Sequence, residues 1–354
     1  KTMEQKKKTI ENITCTIIFE GSALNRDEKI GGNIQSIKKL NIDGKVKSFL
    51  SRPAIRHYLF NTLINAYPDD WKPAKITNQG DVAQFDITVD DIFTSAELDA
   101  FGYMYTIGGE MSITRKAPIG ITKAISLFDY EQDMCFYANH DLVNRANQKG
   151  LNIRPNPYQA EEHFSLYKLS FTIDTEIFGK DVWVIKSKPN YVEEEKELQI
   201  EIENSEAKKV IKNIDKITED KFKTELGEIS IKCIGDDVYK IEFSLNEDIK
   251  KKRIEQILDV IHNGLLAHSG GEDNTIIPLF FIAGTVKVPS PVFHPYISIE
   301  KVNEDYKILG LSDCINNSWV LDKKIYIKCS ERIKCEEKNL IESFEEFKKN
   351  LGSK

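Results

Sequence analysis

The chain has 354 residues, a formal net charge of -7 at pH 7, and 40% hydrophobic and 30% charged residues. This composition is typical of an ordinary globular protein, and the acidic balance excludes a protein that coats nucleic acid uniformly. A local basic groove on an acidic surface is still allowed. The lysine-rich start "KTMEQKKKTIEN" lacks the apolar core of a signal peptide. No apolar run reaches the roughly 20 residues needed to span a bilayer, so we expect no membrane partner.

Catalytic and metal-binding motifs are absent from the sequence. The six cysteines include no CxxC pair, so we expect no zinc site, no disulfide framework and no cofactor, with a reducing cytoplasm as the location. There is no P-loop, no GxGxxG after a strand, no GxSxG and no HExxH. The sequence therefore predicts a protein that is not an enzyme.

The first elements in chain order are a strand, a long loop and a helix. "ITCTIIFE" alternates and predicts a half-buried strand, with one face formed by Ile13, Cys15, Ile17 and Phe19. The polar loop "GSALNRDEKIGGNIQSIKKLNIDGKVKSF" follows, and loops of this length are usually functional or disordered. "SRPAIRHYLFNTLINAY" then predicts a helix, with Ser51 as N-cap and Pro53 in the first turn.

Two arginines lie at the start of this helix, and the sequence does not show which anion they contact. Arg52 and Arg56 lie four residues apart and therefore share one helix face. The helix dipole disfavours cations there by about 0.3–1 kcal/mol each unless an anion compensates. Free backbone N–H groups at the same end form a natural phosphate seat. The helix alone leaves both interpretations open, solvated arginines beside an acidic neighbour or a grip on phosphate.

The rest of the chain predicts an α+β protein. "DVAQFDITVDDIF" predicts a strand, with "DITVDD" capping its end and starting a turn. "SAELDAFGYMYT" predicts a short helix broken by Gly102, and "MSITRKAPIGITKAISLFDY" predicts extended chain. "HFSLYKLSFTID" predicts a strand, and "DVWVIKSK" is expected to extend the same sheet. Residues 190–250 are dense in charge and predict a small antiparallel structural insert.

Three more elements follow the insert. "KKRIEQILDVIHNGLLAH" predicts a helix that the glycines of "SGGEDN" end, and "IPLFFIAGTVKV" a central strand. "EEKNLIESFEEFKKNL" predicts an amphipathic helix whose apolar side is formed by Leu340, Phe344, Phe347 and Leu351. This order suggests one antiparallel sheet with helices on one face, most commonly in a ferredoxin-like arrangement.

Three further segments are candidates for contact with a polynucleotide. Arg115, Lys116 and Lys123 lie on extended chain among small residues, which allow close approach to the backbone. Asn139 and Arg145 in "ANHDLVNRANQKG" suit phosphate and 2′-hydroxyl contacts, and they suit ordinary turns equally. "HSGGEDN" alone is only a helix cap. No aromatic pair is visible on the strands, so backbone tracking rather than base stacking is the expected binding mode.

In this order, the motifs resemble the Cascade backbone subunit of type I CRISPR systems, the Cas-seven family, and within it the DevR-like branch of type I-B. The resemblance is carried by "SALNRD", "SRPAIRHYLF", "LDAFGYM", "APIGITKAISL", "MCFYANHDL", "EEHFSLYKLSFTID" and the glycine loop before "IPLFFIAG". It covers most of residues 13–187 and resumes at about 251–290. The insert and the chain after about residue 300 lie outside it.

The resemblance implies a fold and a set of domains. Residues 13–300 would form a palm, a modified RNA-recognition-motif (ferredoxin-like) antiparallel sheet. A protruding thumb hairpin would span about 125–162, and the charged insert about 190–250. Residues 301–354 would be a C-terminal extension with the amphipathic helix.

The resemblance also implies partners. Copies would stack head to tail along a crRNA guide as a helical filament, leaving the guide free to pair with target DNA in a ribonucleoprotein of antiviral defence. Other Cascade partners would be the subunit that caps the guide 5′ handle and the large and small subunits.

The resemblance assigns roles to particular residues. The guide grip maps onto Asn25, Arg26, Ser51, Arg52 and Arg56, with Lys123 and Arg145. Gly270 and Gly271 would form a loop near the guide. With Arg115, Lys116 and Asn139 from the basic segments, these residues are the RNA-binding candidates. The thumb wedge would be Phe128, Tyr130 and Met134.

Two other functions stay open. An RNA endonuclease of the same superfamily would use an aspartate in the loop after the first strand, Asp27 or Asp43. Asp27 belongs to "LNRD", where it is more consistent with ordering the loop. The second alternative is an α+β partner-binding module that binds no nucleic acid.

Overall fold

The computed structural model describes residues 10–22, 26, 34–77, 82–107, 111–202, 208–269, 272–336 and 341–351. The elements up to residue 173 are β1 (Asn12–Gly21), β2 (Ile34–Gln35), β3 (Lys39–Ile42), β4 (Lys45–Leu50), α1 (Arg52–Ala66), β5 (Ile76–Thr77), β6 (Gln84–Phe85), α2 (Ala96–Phe101), β7 (Tyr103–Ile107), β8 (Met111–Arg115), β9 (Ile119–Ile121), β10 (Ala124–Ser126), β11 (Asp133–Tyr137), α3 (His140–Gln148), β12 (Tyr158–Glu162) and β13 (Ser165–Ile173).

The later elements are β14 (Lys180–Ile185), β15 (Asn190–Val192), β16 (Glu197–Glu201), β17 (Lys208–Ile211), β18 (Asp215–Thr218), β19 (Lys221–Lys223), β20 (Gly227–Gly235), β21 (Val238–Leu245), α4 (Glu247–Asn263), β22 (Leu265–Ser269), β23 (Glu272–Ile276), β24 (Pro278–Val286), β25 (Ser298–Val302), β26 (Asp305–Leu309), α5 (Leu311–Ile315), β27 (Val320–Cys329), β28 (Ile333–Lys334) and α6 (Phe344–Lys349). The fold is mixed α+β, as the sequence predicts. Among the described helices, none is long and apolar enough to cross a membrane.

The main sheet has the order β27-β24-β1-β13-β10-β4-β3, and β9 also pairs with β13. All of these pairs are antiparallel. β24 lies between β1 and β27, so the apolar run "IPLFFIAGTV" is inside the sheet, as predicted. β27 belongs to the same sheet, so the chain after residue 300 is not separated from the sheet before it.

Helices α1, α4 and α6 cover one face of this sheet. The alternating residues predicted to form one face of β13 are all buried there, namely Tyr167, Leu169, Phe171 and Ile173. They pack in one core with Ile55, Leu59 and Leu63 from α1 and with five apolar residues of α4. The 3.6-residue period of the helices and the 2-residue period of the strands thus meet in one apolar layer.

The opposite face of β1 is also covered, so the prediction of a half-buried strand is wrong. Thr14 and Thr16 are fully buried. Their hydroxyls are satisfied within the sheet, with 2.6 Å between Thr16 Oγ1 and Ser170 Oγ. A second core formed largely by residues 279–335 packs on this side of the sheet. Threonine is compatible with either an exposed or a buried strand position, and only the covering segment decided which.

The charged insert forms a third core instead of extending the main sheet. β14, which contains "DVWVI", is the edge of a separate sheet with the order β14-β21-β20-β19-β18. The prediction that it extends the main sheet is therefore wrong. Its apolar side packs with β16, with β17 and with residues 74–113, around the fully buried Trp183. The alternation in "LQIEIE", "ISIKCI" and "VYKIEFSL" predicts three strands of this insert, and the structure confirms them as β16, β20 and β21. They are divided between two sheets.

Several local predictions differ from the structure. The strand predicted in "DVAQFDITVDDIF" is limited to β6, and the predicted turn in "DITVDD" is present, because Asp86 and Asp91 accept hydrogen bonds from the backbone N–H groups two residues after each. Helix α4 ends before "SGGEDN", at Gly264, which has φ +127°. Ser269 instead ends β22, and Glu272 begins β23. Helix α6 is shorter than predicted, and Leu340 lies outside the described residues. Cys329 at the end of β27 and Cys335 after β28 lie side by side, with 6.3 Å between their Cα atoms.

Residues 133–162 form a unit that we call the exposed hairpin. It consists of β11, α3 and β12, with β11 and β12 antiparallel and β2 added parallel to β12. Within it only Ala146, Ala160 and Glu161 are buried. Large apolar side chains are open to solvent, among them Phe136 at 62% and Leu142 at 54% exposure.

Candidate nucleic-acid interface

The start of helix α1 gives its two arginines different surroundings. Ser51 caps the helix, and its hydroxyl accepts a hydrogen bond from Ala54 N at 3.4 Å. Arg52 is exposed, with no ion pair among the described residues. Arg56 Nη2 is 3.0 Å from Glu97 Oε1, and its guanidinium lies 4.6 Å from the ring centre of Phe101. Arg56 therefore ties α1 to α2, whereas Arg52 is open to a ligand.

Lys123 lies beside Ser51 because of the strand register. Ala124 of β10 pairs with Leu50 of β4, so the residue before Ala124 and the residue after Leu50 adjoin each other. The exposed side chains of Lys123 and Arg52 thus flank the capped helix start. We call Ser51, Arg52 and Lys123 the basic cluster. It combines two cations with the positive end of the helix dipole, an arrangement that favours an anion. Pro53 has no N–H and the N–H of Ala54 donates to Ser51 Oγ, so the two side-chain cations supply most of the attraction.

Lys116 and Arg115 are neighbours with opposite environments. Lys116 is exposed. Arg115 has a side chain only 2% exposed, and its Nη2 lies 2.7 Å from Asp99 Oδ1. The guanidinium also donates to the backbone oxygens of Leu98, Lys180 and Ile177. All of its donating capacity is directed inward, so the prediction that Arg115 contacts RNA is corrected. This arginine holds together the segments around α2.

Asp99 is the centre of this buried group. Its carboxylate also accepts a hydrogen bond from Arg253 Nη1 of α4 at 2.9 Å and one from Gly179 N at 2.8 Å. Asp99 is itself completely buried. A second buried carboxylate, Asp181, has an oxygen 3.9 Å from Arg115 Nε. The two arginines are thus compensated by these carboxylates and by the carbonyl oxygens that accept hydrogen bonds from them.

Arg26 lies at the base of the exposed hairpin. Its Nη2 is 2.5 Å from Glu162 Oε1, and its Nη1 is 3.2 Å from Glu272 Oε2. The structure therefore brings Arg26 beside the β22–β23 hairpin, whose turn contains Gly270 and Gly271 in the sequence. Asn25, Asp27, Gly270 and Gly271 lie outside the described residues.

Other contacts hold the same base in place. Glu161 accepts hydrogen bonds from Lys39 Nζ at 2.8 Å and from Ser36 Oγ at 2.7 Å. Burial opposes charge on the Glu161 carboxyl, but these bonds outweigh it and lower the pKa. His163 is buried rather than at the surface, with its Nδ1 2.7 Å from Ser48 Oγ, and burial lowers its pKa.

Asn139 and Arg145 both belong to α3 in the exposed hairpin. Asn139 is the N-cap, and its side-chain oxygen accepts a hydrogen bond from Leu142 N at 2.9 Å. Arg145 pairs with Asp141 one turn earlier, and both side chains are about two-thirds exposed or more. An exposed pair of this kind contributes about 0–1 kcal/mol, so Arg145 is easily redirected to another anion.

The three proposed wedge residues have different surroundings, and two of them precede the exposed hairpin in the chain. Phe128 contacts Tyr306 of β26, with 5.6 Å between ring centres. Tyr130 packs against His163 at 5.3 Å and beneath the Lys39 ammonium. Met134 is 41% exposed on β11. Met134 is thus the one of these three that lies within the exposed hairpin.

Asp43 occupies a tight turn between β3 and β4. Ile42 pairs with Lys45, so Asp43 and Gly44 form a two-residue loop, and their φ values are 51° and 76°. Positive φ at both positions is the requirement of a type I′ turn, which favours Asp-Gly. The part of the chain that the structure describes contains no group of three or more His, Cys, Asp or Glu side chains suited to a metal ion.

Sequence reasoning missed the carboxylates that pair with the predicted cations. Glu97 in "SAELD" and Glu162 in "AEEH" are these carboxylates. Their partners are 41 and 136 residues away in the chain. The only sequence signal for these pairs was the presence of acidic residues between predicted strands and helices. Such residues are common in proteins, so this signal does not identify the partner of a given arginine.

The chain is identified as a member of a CRISPR-associated protein family. Residues 13–306 match the family described as "CRISPR-associated negative auto-regulator DevR/Csa2". This range covers most of the chain, including the basic cluster, the exposed hairpin and the insert. The chain belongs to this family, which confirms the resemblance drawn from the co-linear motifs.

One curated relative and two solved structures are similar to the chain. The "CRISPR-associated protein Cas7/Cst2/DevR" of Myxococcus xanthus (strain DK1622) is 27% identical over 174 residues, covering 44% of this chain and 55% of the relative. The chain thus spans about half the length of that relative.

The first structure is titled "CRISPR RNA-guided surveillance complex, pre-nicking". It has a TM-score of 0.44 and 8% identity, over 80% of this chain and 82% of that chain. The second, "CRISPR RNA-guided surveillance complex", has a TM-score of 0.42 and 10% identity, over 82% and 76%.

Proposed function

We propose that this protein is a non-catalytic backbone subunit of a type I-B Cascade complex. In this role it binds the backbone of a crRNA guide and polymerises head to tail along it. The observation that carries the proposal is the basic cluster, which places an exposed arginine and lysine beside a capped helix start in a chain of this family.

The charge of the chain fits such a role. A protein with net charge -7 binds a polyanion only through a local site, and stacked copies repeat that site along the guide. Head-to-tail contacts are heterologous and need not close, so they generate an open helical filament. Contacts to the guide backbone leave its bases free to pair with target DNA. The cap, large and small subunits complete the complex, which acts in antiviral defence in the cytoplasm.

The exposed hairpin is the segment that we assign to the thumb, and the main sheet is the palm of RNA-recognition-motif type. Apolar side chains such as Phe136 and Leu142 are costly to leave in water and favour a partner. In the filament that partner is the neighbouring copy with its guide. This assignment moves the thumb start from about residue 125 to about residue 133, because β10 is part of the main sheet.

The test is purification of the protein from a host that expresses the whole operon, followed by sizing of the bound RNA. We expect one RNA of defined guide length, and we expect Arg52→Glu to reduce its recovery without unfolding the chain. Protein free of RNA, with no salt-dependent RNA binding, would instead support the partner-binding module.

A second assay addresses the nuclease alternative. The complex is incubated with RNA matched to the guide and with magnesium, and the RNA is expected to stay intact. The turn conformation of Asp43 gives that residue a structural reason to be there, which favours a non-catalytic role. Cleavage at regular intervals that Asp27→Ala or Asp43→Ala abolishes would show that the complex is catalytic.

A further inference from the structure

Arg26 joins three segments that are far apart in the sequence. It contacts Glu162 at the end of β12 and Glu272 at the start of β23, and its backbone bridges to Ile37. Its side chain is 22% exposed, and that of Glu162 is 19% exposed. We call Arg26, Glu162 and Glu272 the Arg26 joint.

Neighbouring hydrogen bonds extend this joint on both sides. Ser22 Oγ donates to Glu272 Oε1 at 3.1 Å and to Asn274 Oδ1 at 2.8 Å. On the other side, the backbone N–H of Ile37 donates to Glu161 Oε2 at 3.1 Å. The two adjacent carboxylates that end β12 are therefore both held by the segment that follows β1.

The exposed hairpin has few other means of holding its direction. Three of its 30 residues, from 133 to 162, are buried, and one of these is Glu161 itself. A unit with so little apolar burial opens locally at low cost unless polar contacts at its base hold it. Among the described residues, the Arg26 joint, the bonds to Glu161 and the short pairing of β2 with β12 are the contacts in that position.

We propose that Arg26 is a positioning residue, which fixes the direction of the exposed hairpin relative to the β22–β23 hairpin, and not a ligand of the guide backbone. The positioning role does not require the proposed function. Only its consequence, that guide loading depends on the direction of the exposed hairpin, rests on the proposed function. Two carboxylates around one guanidinium give the joint a net negative charge, which repels an approaching phosphate. Arg52, by contrast, has no such neighbours among the described residues.

The two roles predict opposite effects for the carboxylates. If Arg26 positions the hairpin, the double variant Glu162→Gln with Glu272→Gln weakens the joint. It should then weaken guide binding, as Arg26→Ala does. If Arg26 binds phosphate, the same double variant frees the guanidinium and tightens guide binding. Combining all three substitutions should add little to either variant alone, because they remove the same interaction.

The experiment measures amide hydrogen exchange in the RNA-free full chain, then guide binding by the same proteins. We expect exchange in β11 and β12 to become about five- to tenfold faster in Arg26→Ala and in the double variant, with guide binding weakened in both. Unchanged protection of β1 would show that the variants are folded. Glu304→Gln is the control, since it removes the charge of an exposed carboxylate in the turn between β25 and β26, outside the exposed hairpin, and it should change neither measurement.

Each other outcome decides one question. Tighter guide binding by the double variant, or unchanged exchange in both variants, would overturn the positioning role. Faster exchange in chains that bind no guide, wild type included, would support the positioning role while overturning the proposed function.

Discussion

The two arginines at the start of α1 should separate RNA binding from stability. Arg52 is exposed, and Arg56 is 3.0 Å from a Glu97 carboxylate whose side chain is only 7% exposed. The other oxygen of Glu97 accepts a hydrogen bond from Ala74 N at 3.0 Å. Arg56→Ala therefore leaves a buried carboxylate with one fewer donor, whereas Arg52→Ala removes only a solvated cation.

The size of each effect follows from burial. Loss of one partner costs about 3–5 kcal/mol for a fully buried pair and about 0–1 kcal/mol for an exposed one. The Arg56 side chain is 31% exposed, so we expect an intermediate loss of about 1.5–3 kcal/mol, which includes its contact with Phe101. Arg52→Ala should change the free energy of unfolding by less than about 0.5 kcal/mol.

Urea unfolding of the RNA-free protein, followed by the fluorescence of the buried Trp71 and Trp183, measures the first effect. The salt dependence of guide binding measures the second. Arg52→Ala should reduce the slope of log K against log salt by about 0.7 per copy, the value for one phosphate contact on a single strand. Lys301→Ala, exposed on β25, is the control and should alter neither. A stability loss from Arg52→Ala above about 1 kcal/mol, or an unchanged salt slope, would refute this reasoning.

Three further substitutions test the fold. Asp99→Asn should cost about 3–5 kcal/mol in urea unfolding because it leaves two buried arginines under-compensated, while Asp141→Asn at an exposed pair should be neutral. Burial, with a smaller effect of a nearby lysine, lowers the pKa of His294 from 6.5 to about 4. The unfolded chain therefore takes up the proton first, so the free energy of unfolding should fall as pH drops from about 6.5 towards about 4, and His294→Gln should flatten that slope. A pH profile that the substitution leaves unchanged would contradict the assignment. Gly102→Ala should lower the midpoint of thermal unfolding more than Gly150→Ala does, because both have positive φ but only at Gly102 would the new carbon lie 2.4 Å from a carbonyl oxygen. Equal losses at the two glycines would mean that backbone strain alone matters.

The family and the main secondary structure could be predicted from the sequence. Helices α1 and α4 and strands β1, β13 and β24 were predicted because hydrophobic periodicity is a local property of the chain. The motifs were sufficient to indicate the family, because several short segments, each weak alone, occur together in the chain in the order that is typical of the family. Errors were concentrated where local composition is compatible with two structures, as in the buried threonines of β1 and the glycines of "SGGEDN".

The site shows the same division between local and distant information. Ser51 as a helix cap and the exposed Arg52 followed from the sequence near the helix start. The inward direction of Arg115 and the pairing of Arg56 depended on tertiary structure, because Asp99 and Glu97 come from another element. Arg253 reaches Asp99 across 154 residues of chain. Charge and spacing indicate that an arginine is available for pairing, but whether it faces solvent or a buried carboxylate is decided only when distant segments pack together.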